Sequence, residues 1–241
     1  MSKILRAGVL TLALAGPLAA RAVPANFTPE KWWFSGRLGL GHWADVRLDD
    51  VQSDFTGGLA LEWLPARHHA LKLDLGTDRY RRTYAQAGVD AVTGSPARTN
   101  VDEWRWSAGL TYGYEFLHDL TKSESGRTTA QVLVGGSYFA FDDSVSKAGA
   151  LPLGAGLRLG RALGDGAEVF ADAFYGYAVA ASKPGNASVL GAVKAQTRYG
   201  AGLAWRFSGA RVETGYRGEV ITLEHGYRIL HSLGLQVGFG F

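Results

Sequence analysis

Residues 101–116 read VDEWRWSAGLTYGYEF. Alternate positions sort this stretch in two. Trp104, Trp106, Ala108, Leu110, Tyr112, Tyr114 and Phe116 share one parity; Glu103, Arg105, Ser107, Gly109, Thr111, Gly113 and Glu115 share the other. Successive side chains of a β-strand point to opposite faces, so this is a strand with one fatty side and one polar side. Strands of soluble sandwiches usually end after about five or six residues, whereas a tilted strand needs roughly ten to cross a bilayer. The length and the two-sidedness together predict a strand with lipid on one side.

The same period-two pattern recurs along the chain and predicts ten strands, near 32–46, 54–64, 70–81, 101–116, 128–142, 151–162, 167–179, 197–207, 210–222 and 227–241. An eight-strand count requires dropping two segments that alternate well. The connections at 65–69, 163–166 and 208–209 are short, while 82–100 and 180–196 are long and polar. Short turns at one end and longer loops at the other, with an even number of strands, are the pattern of a bacterial outer-membrane barrel. The connection at 117–127 is long for the turn end. The expected fold is therefore all-β: a closed antiparallel up-and-down transmembrane β-barrel.

The two ends of the chain agree with that location. Lys3 and Arg6 precede an apolar stretch that ends in Ala20, Arg21 and Ala22, the small-x-small pattern of a signal-peptide cleavage site. Residues 1–22 are expected to be removed, leaving 23–241 as a single barrel domain. Without the leader the basic residues fall from 25 to 22, equal to the 22 acidic ones. A neutral chain gives no argument for binding nucleic acid. There is no cysteine, so disulfides and thiolate metal sites are excluded. At the other end, Leu233, Leu235, Val237, Phe239 and Phe241 share the lipid parity, and the inward parity carries Ser232, Gly234, Gln236, Gly238 and Gly240. Those glycines leave room where the last strand must close against the first.

Charges collect on the inward parity. They are Arg37, Asp45, Glu62, Lys72, Asp74, Arg105, Arg158, Asp172, Arg198, Arg206, Arg211, Glu213, Arg217 and Arg228. Buried charges must be paired or wet. A turn centred near Arg67 sets Glu62 opposite Lys72, and one centred at Asp165 sets Arg158 opposite Asp172. A slip of one residue would destroy both arrangements. The sixth strand turns Gly154, Gly156 and Gly160 inward, and its neighbours turn Phe139, Phe141, Phe170 and Phe174 to the same side. These four rings form either an aromatic wall for a sugar or apolar ligand, or small-against-large packing that fills a narrow barrel. Packing is the expected answer.

Aromatic residues gather at two levels. Phe34, Trp63, Phe116, Trp205, Phe207, Phe239 and Phe241 mark the turn end; Trp104, Tyr138, Tyr177, Tyr216 and Tyr227 mark the loop end. With the leader, the amphipathic strands and the terminal Phe241, the chain resembles bacterial outer-membrane β-barrel proteins as a class, over essentially the whole mature sequence. That resemblance implies an outer-membrane location, contact with outer-membrane lipid and lipopolysaccharide, and a final strand, through Leu235, Val237, Phe239 and Phe241, that is read by the barrel-assembly machinery. Ten-stranded members of the class include omptin proteases and surface adhesins.

Catalytic readings are weak. An omptin-like site implies acid pairs and an acid–histidine pair on facing loops, yet 82–100 and 180–196 hold one acid, Asp90, and no histidine. Asp49-Asp50, Asp142-Asp143 and Glu224-His225 read as solvated loop polarity. His231 and Ser232 are adjacent on a strand and must face opposite sides, which defeats a nucleophile–base pair. His68-His69 lacks a third ligand for a metal. Asn26 and Asn186 head sequons too common by chance to carry weight. No catalytic residue, metal site or cofactor is expected. The sequence reading is a non-catalytic barrel with a largely filled lumen and outward loops for surface interaction or envelope support. The alternatives are a narrow channel or accessory pore for small solutes or secreted polysaccharide, and an outer-membrane hydrolase.

Overall fold

A computed structural model describes residues 31–45, 51–66, 68–89, 96–118, 127–142, 147–164, 166–182, 191–207 and 209–241. The leader segment 1–22, Asn26, Asp49, Asp50, Asp90, Asp143 and Asn186 lie outside them, as do the side chains of Asp45 and Asp142.

Ten strands follow one another: β1 (Trp32–Asp45), β2 (Val51–Trp63), β3 (His69–Val89), β4 (Pro96–His118), β5 (Thr128–Asp142), β6 (Lys147–Gly164), β7 (Ala167–Ala181), β8 (Val193–Phe207), β9 (Ala210–Leu223) and β10 (Gly226–Gly240). Each pairs antiparallel with its sequence neighbour, and β1 pairs with β10 to close the barrel. Closure leaves no sheet edge within the apolar belt, which is what lipid demands of a spanning sheet.

Alternation decides which way each residue faces. Along β7, Phe170, Phe174 and Gly176 are buried, while Val169, Ala171, Ala173, Tyr175, Tyr177 and Val179 are exposed. The exposed side is a belt of large apolar residues, including Leu38 at 64% exposure, Leu40, Leu59, Leu110, Leu157 and Leu235. Such a surface is expelled by water and suits hydrocarbon. Rings mark its margins. Trp32 and Trp63 stack with centroids 5.5 Å apart beside the chain end, and Trp104 and Trp106 stack at 6.0 Å toward the opposite rim.

The closing seam accounts for the glycine-rich tail. Phe241 N–H donates to the Trp32 carbonyl (3.0 Å), and Trp32 N–H to the Phe241 carbonyl (3.2 Å). The register then runs Phe34↔Phe239, Leu38↔Leu235 and Asp45↔Arg228. A Cβ on Gly39 would stand 2.8 Å from the Leu233 carbonyl oxygen, so a larger residue there would spread the seam.

Several strands outrun the sequence expectation. The polar stretch 82–100, read as a loop, is mostly ladder: β3 continues to Val89 and β4 begins at Pro96, with Thr83↔Asn100 and Ala85↔Arg98 in register. Hydropathy stops alternating where the strands leave the lipid, but the backbone hydrogen bonds continue. This hairpin passes its neighbours, since β2 pairs with β3 only as far as Arg82 and β5 with β4 only as far as Trp104. Likewise β8 begins at Val193, inside the expected loop 180–196.

Candidate functional site in the lumen

The inward faces divide the barrel interior into three levels. At the loop end, Phe139, Phe141, Ala150, Val193, Ile221, Leu223 and Leu230 form one buried apolar cluster. Phe139 and Ile221 are wholly buried, and Phe139 meets Phe141 edge-on, with centroids 5.6 Å apart. Pro152 is buried as completely. The Arg228 guanidinium lies 4.8 Å above the Phe141 ring.

Beneath this cluster sits a buried charge clamp. Arg105, from β4, donates to Asp78 of the adjacent strand (Nε to Oδ2, 2.8 Å). It also reaches across the lumen to grip both oxygens of Glu219 on β9, at 2.5 and 2.8 Å. Gln196 donates to Glu219 (2.7 Å) and accepts from the Ser137 hydroxyl (3.0 Å). All five side chains are buried. The fork of an arginine matches a carboxylate at two points, and the remaining lone pairs have their own donors, which is the condition under which buried charge is tolerated. The Arg105 guanidinium lies 5.9 Å from the Phe139 ring, so the clamp and the apolar cluster touch.

Below the clamp the lumen is open, a cavity of about 650 Å³ that runs to Lys31, Leu64, Pro65 and Ala66 at the turn end. Its walls carry interleaved charges. Lys72 pairs with Asp74 at 3.0 Å. Glu213 is shared by Arg211, Arg158 (3.2 Å) and Arg217 (3.8 Å). Arg211 also approaches Glu62 at 3.4 Å. Two guanidiniums rest on rings, Arg158 at 4.1 Å from Phe170 and Arg198 at 4.6 Å from Phe174. A cation over an aromatic face is held by the ring quadrupole.

The residues singled out in the sequence are thus distributed as follows. Glu62 does stand opposite Lys72, and Arg158 opposite Asp172. Their ion pairs run elsewhere, however: Lys72 to Asp74 two residues along its own strand, Glu62 to Arg211, and Arg158 across to Glu213. A narrow barrel brings distant strands within reach of long side chains, and these compete with the cross-strand partner. Phe139, Phe141, Phe170 and Phe174 are all buried but do not make one wall. The first two belong to the apolar cluster, and the other two sit lower, each under an arginine. Leu235, Phe239 and Phe241 are exposed on the outer belt, Phe241 at 70%, and Val237 shares their parity.

The clamp partners Asp78, Gln196 and Glu219 were missed. Asp78 and Glu219 have the inward parity of their strands, a signal that was available. Their convergence on Arg105 depends on closure, which brings together residues 114 apart.

Among the described residues no constellation for hydrolysis forms around Glu224 and His225. They make a two-residue turn between β9 and β10, where Glu224 is tied to Ala192 through its backbone N–H (3.0 Å) and its carboxylate (3.3 Å). Ser232 faces inward and is buried, while His231 faces out and hydrogen-bonds to the Tyr216 hydroxyl. His68, in the left-handed region at φ 71°, approaches Glu115 at 3.7 Å. Among the described residues no group of three or more His, Asp or Glu side chains is placed to hold a metal ion.

No protein-family model matches the chain, and no curated protein matches it by sequence. Solved structures do. The outer membrane protease OmpT from Escherichia coli superposes with a TM-score of 0.51 at 7% identity, over 88% of this chain and 94% of OmpT. The β domain of the Bordetella autotransporter BrkA gives 0.47 at 16% identity, over 88% and 99%. Neisserial surface protein A gives 0.44 at 11% identity, over 88% and 97%. At these identities the likeness is one of fold. The architecture is that of the bacterial outer-membrane β-barrels, and the outer membrane is the surrounding that its apolar exterior fits.

Proposed function

We propose that this protein is a non-catalytic integral outer-membrane barrel, closed across its loop end and acting through its outward loops in surface interaction or envelope support. Lipid and lipopolysaccharide surround it, and the assembly machinery reads Leu235, Val237, Phe239 and Phe241 during its insertion. One observation carries the reading: the Arg105 clamp lies directly beneath the Phe139 cluster, so a polar lock and an apolar stopper follow one another across the lumen. Moving an ion through that section means breaking buried, bidentate hydrogen bonds and wetting apolar surface.

The test is conductance of the purified protein in a planar bilayer. A silent bilayer is expected, and reproducible ohmic steps would overturn the closed reading. The cavity of about 650 Å³ on the turn side is the feature that favours the second reading, a narrow channel for small solutes or secreted polysaccharide. A channel would also change its conductance when Arg158 or Asp172 is replaced.

A further inference from the structure

Cationic and anionic groups are unequal below the clamp. Leaving out Arg105, Asp78 and Glu219, eight lysines and arginines line the cavity against six carboxylates. One carboxylate, Glu213, is divided among three arginines. Arg37 and Arg198 have no carboxylate within ion-pair distance among the described residues, and Arg198 has Phe174 beneath it instead. The Arg198 and Arg211 Nε–H groups are buried without an acceptor. Buried guanidinium donors without acceptors are costly, and an incoming anion would satisfy them.

These groups sit near one another around the wall. Arg198 on β8 stands opposite Glu219, two residues beyond Arg217 on the inward face of β9. Arg217 donates to Gln236 (3.2 Å), and Gln236 is the β10 residue in register with Arg37 on β1. Arg37 in turn lies across a floor of small residues: a Cβ on Gly58 would stand 3.2 Å from its Nη2, and one on Gly76 would stand 3.6 Å away. Arg198 on β8 and Arg217 on the adjacent β9, with Arg37 on β1 beyond β10, are three forked donors in a cavity with an excess of two positive charges, and they suit a tetrahedral dianion better than a carboxylate, which one arginine can saturate.

We propose that the cavity below the clamp is an anion site, in which Arg37, Arg198 and Arg217 bind a small phosphate-bearing solute entering from the turn end. The site does not need closure above it. A conducting barrel that binds phosphate overturns the closed reading and leaves this one standing.

The full-length protein in detergent, titrated calorimetrically with inorganic phosphate at low ionic strength, is expected to bind it saturably. R198Q and R217Q, with heat-modifiable mobility checked on gels, are expected to weaken binding about ten-fold or more. K194Q, at an exposed position, is expected to leave it unchanged. Absence of saturable binding, equal binding of uncharged glucose, or full affinity in folded R198Q and R217Q overturns the proposal. Should those variants fail to fold, the unmodified chain answers the question through phenylglyoxal labelling. Phosphate is expected to protect Arg37, Arg198 and Arg217, and labelling of all three unaltered by phosphate sinks the site.

Discussion

Arg105 is the residue on which the interior turns. It joins three strands that are not all neighbours, through Asp78 on β3 and Glu219 on β9. Removing one member of such a set strands the others as buried, unanswered charge, and the loss is about 3–5 kcal/mol. Arg105→Met is therefore expected to lower the unfolding free energy by that amount, read in urea as an earlier midpoint. The triple replacement of Arg105, Asp78 and Glu219 by apolar residues of similar volume is expected to recover most of it. A midpoint unmoved by Arg105→Met would show that the clamp is wet and exchanges its partners with water. Phe139 works in another way. It contributes mainly packing, and Phe139→Ala is expected to cost about 3 kcal/mol through the cavity it leaves.

The elements are held apart, or allowed together, by what their glycines lack. On β6, a Cβ at Gly154 would fall 1.8 Å from the Tyr175 carbonyl oxygen and 2.5 Å from the Gly176 Cα, so β6 approaches β7 more closely there than any side chain permits. Gly154→Val is expected to cut the yield of heat-modifiable barrel sharply during refolding into lipid. Gly36→Ala, whose Cβ would meet nothing nearer than Leu59 at 4.0 Å, is expected to refold like the parent chain. Much of this level was legible in the sequence. The facing of 101–116 follows from parity alone, and the hairpin registers at Glu62↔Lys72 and Arg158↔Asp172 follow from short turns between strands of fixed period. The strand limits beyond the lipid were not legible at 82–100, because apolar alternation reports which face meets hydrocarbon and is silent about backbone pairing in water. That misreading also hid Asp78↔Arg105, a register pair within the β3–β4 hairpin. The cross-lumen grip of Arg105 on Glu219 was beyond reach for a different reason: it depends on how far the sheet curls before it closes.

As a whole the described residues set an apolar cluster and a charge clamp toward the loops and a cavity of about 650 Å³ toward the turns, and the proposed closed barrel is a stoppered cup. The stopper is made of two unlike layers, and a channel should appear only when both are weakened. The single variants Phe139→Ala and Arg105→Met are expected to stay silent in a planar bilayer, and the double variant is expected to conduct. Conductance from either single variant would mean that one layer does all the sealing. The overhanging β3–β4 hairpin makes the loop end asymmetric. From Thr83 to Val89 it extends past the last partner on β2, about 20 Å of strand at the usual rise, and among the described residues neither of its outer edges pairs beyond that level. Its base runs from Arg82↔Val101 to Arg79↔Trp104, one step before Asp78↔Arg105, so the arm outside and the clamp inside are consecutive stretches of the same two strands.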